Sequence, residues 1–187
     1  IDEVLDSGQD TASRSYIRFL ALIERNKIKY NIGRAGQVLN FGDVKGYVLA
    51  PYGEFIKGTA SDLNNNSIVT KFVYGTSSML FTGDAGFEEE EQIISSGLAI
   101  RSDILKVGHH GSATSTGNDF LEKVSPKAAI ISVGSNNNYK HPHFETLRRL
   151  LNRAVKIYRT DKNGAVVVKS DGINLKIETM RNDIYDI

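Results

Sequence analysis

The 187-residue chain contains no cysteine. That absence excludes disulfides, thiolate zinc sites and cysteine nucleophiles, although it does not fix a compartment, because secreted chains can lack cysteine too. An excess of charge is also missing: 23 basic side chains stand against 22 acidic ones, for a formal net charge of +1. A nucleic-acid binder working through bulk basic charge is thereby excluded, but a local basic patch is not. No apolar run approaches the ~18 residues needed to span a membrane, and nothing reads as a signal peptide. Internal repeats, low-complexity tracts and linkers are absent as well. Histidine is scarce and informative: all four occur in two pairs, His109–His110 and His141-Pro142-His143. The first residue is Ile1 rather than Met, which leads us to expect a piece of a longer product.

The length suits one domain, which would bury roughly 70% of the surface its unfolded form exposes without needing a metal or disulfide to fold. Ile1 to Gly8 reads as a short strand and a turn. Tyr16, Phe19, Leu20 and Ile23 follow helical spacing, with Ser13 or Ser15 as cap and Asn26 as stop. From Lys29 to Leu80 the pattern is that of strands punctuated by Gly, Asn and Pro, with Asn64-Asn-Asn-Ser the most polar turn. The second half alternates strands and helices. Met79 to Thr82, Ile104 to Val107 and Ala128 to Val133 read as strands. Helices are predicted from Phe87 to Ser96, with Phe87, Ile93 and Ile94 inward, around Phe120 to Val124, and from Thr146 to Arg153, with Leu147, Leu150 and Leu151 inward. Val155–Arg159 and Ala165–Lys169 are expected to form a hairpin about Asp161-Lys-Asn-Gly, before a last strand at Ile173–Glu178. Hairpins followed by interleaved helices imply an α/β sandwich with a mixed sheet.

Three polar clusters directly follow strands: Asp84 after Phe81-Thr-Gly, His109 and His110 after Ile104-Leu-Lys-Val-Gly, and His141 and His143 after the strand ending at Val133. Strand ends converge on one edge of an α/β sheet, where ligands bind. A carboxylate with several imidazoles there is a donor set suited to Zn²⁺, Mn²⁺ or Fe. Gly83 and Gly108 would allow the sharp turns that bring those side chains in. Taken singly, Thr-Gly-Asp is usually a turn, and adjacent histidines on a strand point to opposite faces. The Glu88–Glu91 run is expected to be a solvated helix start, where negative charge suits the dipole. Asp161 reads as a turn residue. Pro142 is suited to a first helical position, so His141 and His143 would sit at a helix N-terminus that attracts phosphate. His143 could equally be a cap or a surface residue. The hydroxyl-rich Gly111-Ser-Ala-Thr-Ser-Thr-Gly stretch, with Ser112 as candidate contact, either binds phosphate oxygens or simply forms a loop.

Leu80-Phe-Thr-Gly-Asp, Asp103-Ile-Leu-Lys-Val-Gly-His-His-Gly-Ser and Ile131-Ser-Val-Gly-Ser-Asn-Asn-Asn-Tyr-Lys-His-Pro-His together resemble the metallo-β-lactamase-fold domain of ComEC-type DNA-internalisation competence proteins. Tyr158-Arg-Thr-Asp-Lys-Asn-Gly and Asn64-Asn-Asn-Ser-Ile-Val extend the likeness, which runs over nearly the whole chain from Asp6-Ser-Gly onwards. The resemblance implies an αββα sandwich with mixed sheets and a binuclear metal site at one edge. By that likeness Asp84 matches the carboxylate bridging two divalent ions, Zn or Mn. His109 matches a late metal-binding histidine, with His110 the alternative. His141 is similar to the histidine used near the scissile phosphate, and His143 could stand in for it.

The likeness also implies metal-assisted hydrolysis of DNA phosphodiester bonds, with Lys106, Lys140, Arg148 and Arg149 as candidate backbone contacts or plain surface charge. One departure is large. The family's principal motif, His-x-(His/Asp)-x-Asp-His, is missing, and no histidine precedes His109. The chain is therefore expected to be a partial, N-terminally truncated metallo-β-lactamase-like domain spanning residues 1–187. Such a piece would hold a binuclear centre poorly or not at all, and would be inactive or nearly so. Its parent would be membrane-associated through a channel domain, with this domain itself soluble. The competing readings are a stand-alone hydrolase of a small ester or phosphodiester, and a non-catalytic scaffold or binding module.

Overall fold

The computed structural model describes residues 1–181. Its centre is a seven-stranded mixed sheet in the order β3 (Val38–Phe41), β4 (Val44–Ala50), β5 (Val69–Tyr74), β6 (Ser77–Phe81), β7 (Ile104–Lys106), β8 (Ala128–Ile131) and β9 (Lys156–Arg159). The first four strands are antiparallel neighbours, as the Gly- and Asn-punctuated stretch leads one to expect; tight turns join β3 to β4 and β5 to β6, whereas the long segment 51–68 joins β4 to β5. From β6 to β9 the pairing is parallel, so four strands deliver their carboxyl ends to one edge. Parallel strands need crossover connections, and helices α2 (Phe87–Ser95), α3 (Asn118–Val124) and α4 (Phe144–Leu151) supply them.

Residue alternation explains why both faces of this sheet are covered. On β7 and β8, Leu105, Ala129 and Ile131 point to one side and join Ile93, Phe120, Leu121 and Leu150 from the helices in the main core. Ile104, Ala128 and Ile130 point to the other, where they meet Val166, Val168, Leu175 and Ile177. Those partners belong to an antiparallel pair, β10 (Val166–Ser170) with β11 (Leu175–Thr179), which lies against the second face. Its turn is stitched to the β5–β6 turn: Thr76 donates its backbone N–H to the Gly172 carbonyl at 2.6 Å, and the Ser170 and Ser77 hydroxyls lie 2.9 Å apart. A third unit, β1 (Glu3–Asp6) and β2 (Lys29–Ile32), is a parallel pair connected by α1 (Arg14–Arg25). Ser13 and Asn26 flank α1 as predicted, although the Ser13 side chain makes no capping bond. Among the described residues no helix is long and apolar enough to cross a membrane.

Four local expectations are corrected. Val155–Arg159 and Ala165–Lys169 do not form a hairpin. The chain after β9 makes a single helical turn, α5 (Thr160–Asn163), closed by Gly164 N–H to the Thr160 carbonyl, and the next strand pairs with β11 instead. Phe87 and Leu151 are each 42% exposed rather than inward, because the first residue of α2 and the last of α4 overhang the core. Pro142 precedes the helix start; His143 is the N-cap, and Phe144 opens α4. The Glu88–Glu91 run is not a solvated face: Glu89 is fully buried and Glu90 nearly so.

Candidate functional site

The site is built where β6, β7 and β8 end in register, with Phe81 opposite Lys106 and Lys106 opposite Ile130. Thr82 ties the first two ends together by donating its hydroxyl to the Lys106 carbonyl at 2.8 Å. Gly83 then takes φ +53, where a Cβ would meet Ser67 at 2.9 Å, and the Asp84 N–H donates to the Ser67 hydroxyl at 3.1 Å. The turn needs glycine for both its sign and its space.

After β7 the chain enters a tight turn in which His109 (φ 45, ψ 46) and His110 (φ 55, ψ 20) are both left-handed. Each such residue costs about 1–3 kcal/mol and persists only where neighbours over-determine it. Here His109 donates its N–H to the Gly83 carbonyl at 3.1 Å, and Ser112 donates to the His109 carbonyl at 2.9 Å. The left-handed pair overturns the alternation expected of a strand dipeptide. Both imidazoles reach the same edge, with centroids 6.4 Å apart.

His110 Nδ1 lies 2.7 Å from the Ser132 carbonyl. A carbonyl only accepts, so Nδ1 carries the proton, and in the neutral ring the Nε2 lone pair is left facing Asp84 Oδ1 at 3.6 Å. Two acceptors face each other across a gap too long for a direct hydrogen bond. His141 sits among the other rings, 5.5 Å from His109, 6.4 Å from His110 and 5.0 Å from His143. Burial, reinforced by the three neighbouring imidazoles, pushes its pKa below the ordinary histidine value, while Asp84 opposes the shift. Neutral His141 can therefore donate or accept a hydrogen bond at neutral pH. His143 turns back into its own loop, with Nε2 3.0 Å from the Tyr139 carbonyl.

A carboxylate and imidazoles are donors that divalent metals accept, but their number is short. Asp84 and His110 face each other, whereas His109 lies against the Asn64 amide at 3.3 Å. Among the described residues no group of three or more His, Cys, Asp or Glu is arranged to hold a metal ion. The described residues do not by themselves fit a binuclear centre.

Ser112 adjoins the cluster but is buried, and its hydroxyl pairs with that of Thr114 at 3.1 Å. The rest of its loop is held from inside. Glu90 accepts from the N–H groups of Thr116 and Gly117, and Arg149 donates to the carbonyls of Ala113, Ser115 and Thr116. Arg149 is thus a structural clamp on the loop. Lys106 is close enough to Asp84 to feel its charge; burial pushes its pKa down, and Nζ donates to the Val107 carbonyl at 2.8 Å. Sequence reasoning did not place Asn64 at the site, reading its triplet only as the most polar turn and as part of the likeness. Asn65 and Asn66 are buried in that turn, and Asn65 accepts from the Gly86 N–H, bracing the segment beside Asp84.

Residues 54–135, which span this edge as far as the β8 end, match the Metallo-beta-lactamase superfamily. Over that stretch the chain is similar to metallo-β-lactamase domains. Relatives named as competence or recombination proteins align with it. ComE operon protein 3 of Bacillus subtilis (strain 168) is 39% identical over 133 residues, which cover 71% of this chain and 17% of that protein. Competence protein ComA of Neisseria gonorrhoeae is 40% identical over 106 residues, covering 56% and 15%. Recombination protein 2 of Haemophilus influenzae is 39% identical over 118 residues, covering 63% and 15%. The aligned stretches amount to less than a fifth of each of these relatives. Among solved structures, the metallo-β-lactamase fold protein YhfI from Bacillus subtilis aligns at TM-score 0.43 and 12% identity, covering 78% of this chain and 58% of that one.

Proposed function

We propose that this chain is part of a metal-dependent phosphodiester hydrolase that acts on DNA within a competence protein, and that its 187 residues alone turn over substrate weakly or not at all. The observation carrying this reading is the gathering of Asp84 with His109, His110 and His141 at the carboxyl edge of parallel strands. Relatives named as competence proteins supply the context. The complete site would hold two divalent ions, Zn²⁺ or Mn²⁺, with Asp84 and His109 or His110 as donors and the remaining donors from elsewhere in a longer, membrane-associated protein.

The residues in hand bind and orient. His141, kept neutral by burial, hydrogen-bonds a phosphate oxygen through its ring N–H, and would hand a proton to a leaving oxygen only from the imidazolium form that burial disfavours. His143 would take that role only by releasing the Tyr139 carbonyl, and Ser112 would contact phosphate only by releasing Thr114. The Lys106 ammonium, beside Asp84, offsets anionic charge at the edge.

The test compares this chain with the full-length competence protein that contains it, following Mn²⁺-dependent release of nucleotides from DNA. The full-length protein should cleave, its Asp84→Asn variant should lose nearly all turnover, and the 187-residue chain should stay at background. Unchanged cleavage by the Asp84→Asn protein, or robust Mn²⁺-dependent turnover by the chain alone, would overturn the reading.

A further inference from the structure

Beside the histidine edge stands a side chain that the packing does not explain. Tyr139 is 76% exposed, yet its ring stacks on His141, with centroids 5.7 Å apart and planes 23° from parallel. Its loop is fixed. Asn137 donates to the carbonyls of Gly134 and His141 and accepts from the His141 N–H at 2.9 Å, and His143 holds the Tyr139 carbonyl. An exposed ring on a pinned loop loses little freedom when another ring stacks on it. On the far side of Pro142 a second ring, Phe144, is 64% exposed at the head of α4, with the Arg148 guanidinium 5.9 Å from its centroid. Lys140 lies between the two rings in sequence. With Arg148 it places two exposed cations in this segment, alongside the exposed carboxylate of Glu145.

Resting on the phosphodiester reading above, we infer that Tyr139, with Phe144 as its neighbour, is a stacking platform for unpaired bases of single-stranded DNA beside the histidine edge. Along the chain the rings alternate with cations, in the order Tyr139, Lys140, Phe144 and Arg148, which suits a ligand carrying both flat faces and anionic charge. Single-strand binders combine these two features, because any base presents a π-face and the backbone follows the cations. In a duplex those base faces are covered by stacked neighbours, so free rings at this rim gain nothing from double-stranded DNA. Tyr139 is here a binding residue that selects strandedness and positions the adjoining phosphate toward His141.

The experiment measures fluorescence anisotropy of a labelled single strand of about 15 nucleotides, a blunt duplex of that sequence, and an abasic single strand of equal charge, each titrated with the chain. Variants are Tyr139→Ala and Tyr139→Phe, both checked for native circular dichroism. The single strand should bind more tightly than either the duplex or the abasic strand. Tyr139→Ala should weaken single-strand binding by about tenfold and leave duplex and abasic binding unchanged, while Tyr139→Phe keeps wild-type affinity. DNA binding with no dependence on Tyr139, or an equal loss for base-bearing and abasic strands, overturns the platform and leaves the phosphodiester reading standing. Failure of the chain to bind any of the three ligands at low salt overturns the platform together with a DNA-contacting role for this edge.

Discussion

Replacing Glu89 by glutamine should remove most of the pH dependence of folding stability above neutrality. Glu89 lies in the first turn of α2, fully buried; Oε2 accepts from the Ser67 N–H at 3.2 Å, and Oε1 has no partner among the described residues. Burial is the main cause pushing its carboxyl up to about 9, with Glu90 adding to the rise and the Ser67 bond opposing it. The folded protein therefore keeps a proton that the unfolded chain releases near the ordinary carboxyl value. A folded-state pKa above the unfolded one means stability is greatest below the unfolded value and falls as pH rises toward 9. One full proton of difference corresponds to about 1.4 kcal/mol per pH unit, or about 2 kcal/mol between about pH 7 and pH 8.5.

That window is chosen with the other groups in mind. Glu90, pushed by burial up to about 7, has completed most of its change there, and His141, shifted downward, titrates below it. Lys71 and Lys106, whose burial lowers their pKa values, act in the opposite sense toward higher pH and are common to both proteins. Guanidinium unfolding followed by far-ultraviolet circular dichroism at several pH values gives the two slopes. Wild type should lose about 2 kcal/mol across the window, and Glu89→Gln should lose far less. A wild-type stability that is flat over this range, or a variant with the wild-type slope, would refute the buried neutral acid.

Two further substitutions probe the edge through the same unfolding assay. Gly83→Ala forces a Cβ against Ser67 in a left-handed turn and should destabilise by at least about 1–2 kcal/mol, with an alanine of opposite effect at an open site such as Gly134 as control. Thr146→Val deprives the Ser112 carbonyl and the Arg149 guanidinium of a fully buried hydroxyl, at 2.7 and 2.9 Å, and should cost about 1–3 kcal/mol, largely recovered by Thr146→Ser.

How much of this was legible in the sequence depended on the range of the interaction. Strands β2 to β8 follow from short strand-like runs and from Gly, Asn and Pro punctuation. The three polar clusters after β6, β7 and β8 follow because parallel strands must end on one edge. The left-handed His109–His110 turn does not follow, since the local Ser112 amide is joined in holding it by the Gly83 carbonyl from the distant end of β6. Glu89 and Glu90 were misread for a similar reason. A run of four acids looks solvated until the Ser67 and Thr116–Gly117 amides that accompany their burial are in view. The Thr160–Asn163 turn reads locally as a hairpin, and the choice of β11 over β9 as partner for β10 is made by the apolar face of β7 and β8.

That choice has a consequence for the order in which the protein is made. The face formed by Ile104, Ala128 and Ile130 is complete once β8 has emerged, but its cover, Val166 to Ile177, is synthesised some forty residues later. The stitch between Thr76 and Gly172 joins positions about half the chain apart. During translation the sheet must therefore wait with one side bare, so the interval between β8 and β11 is the stage at which a nascent chain is most prone to adhere to others and most dependent on a chaperone.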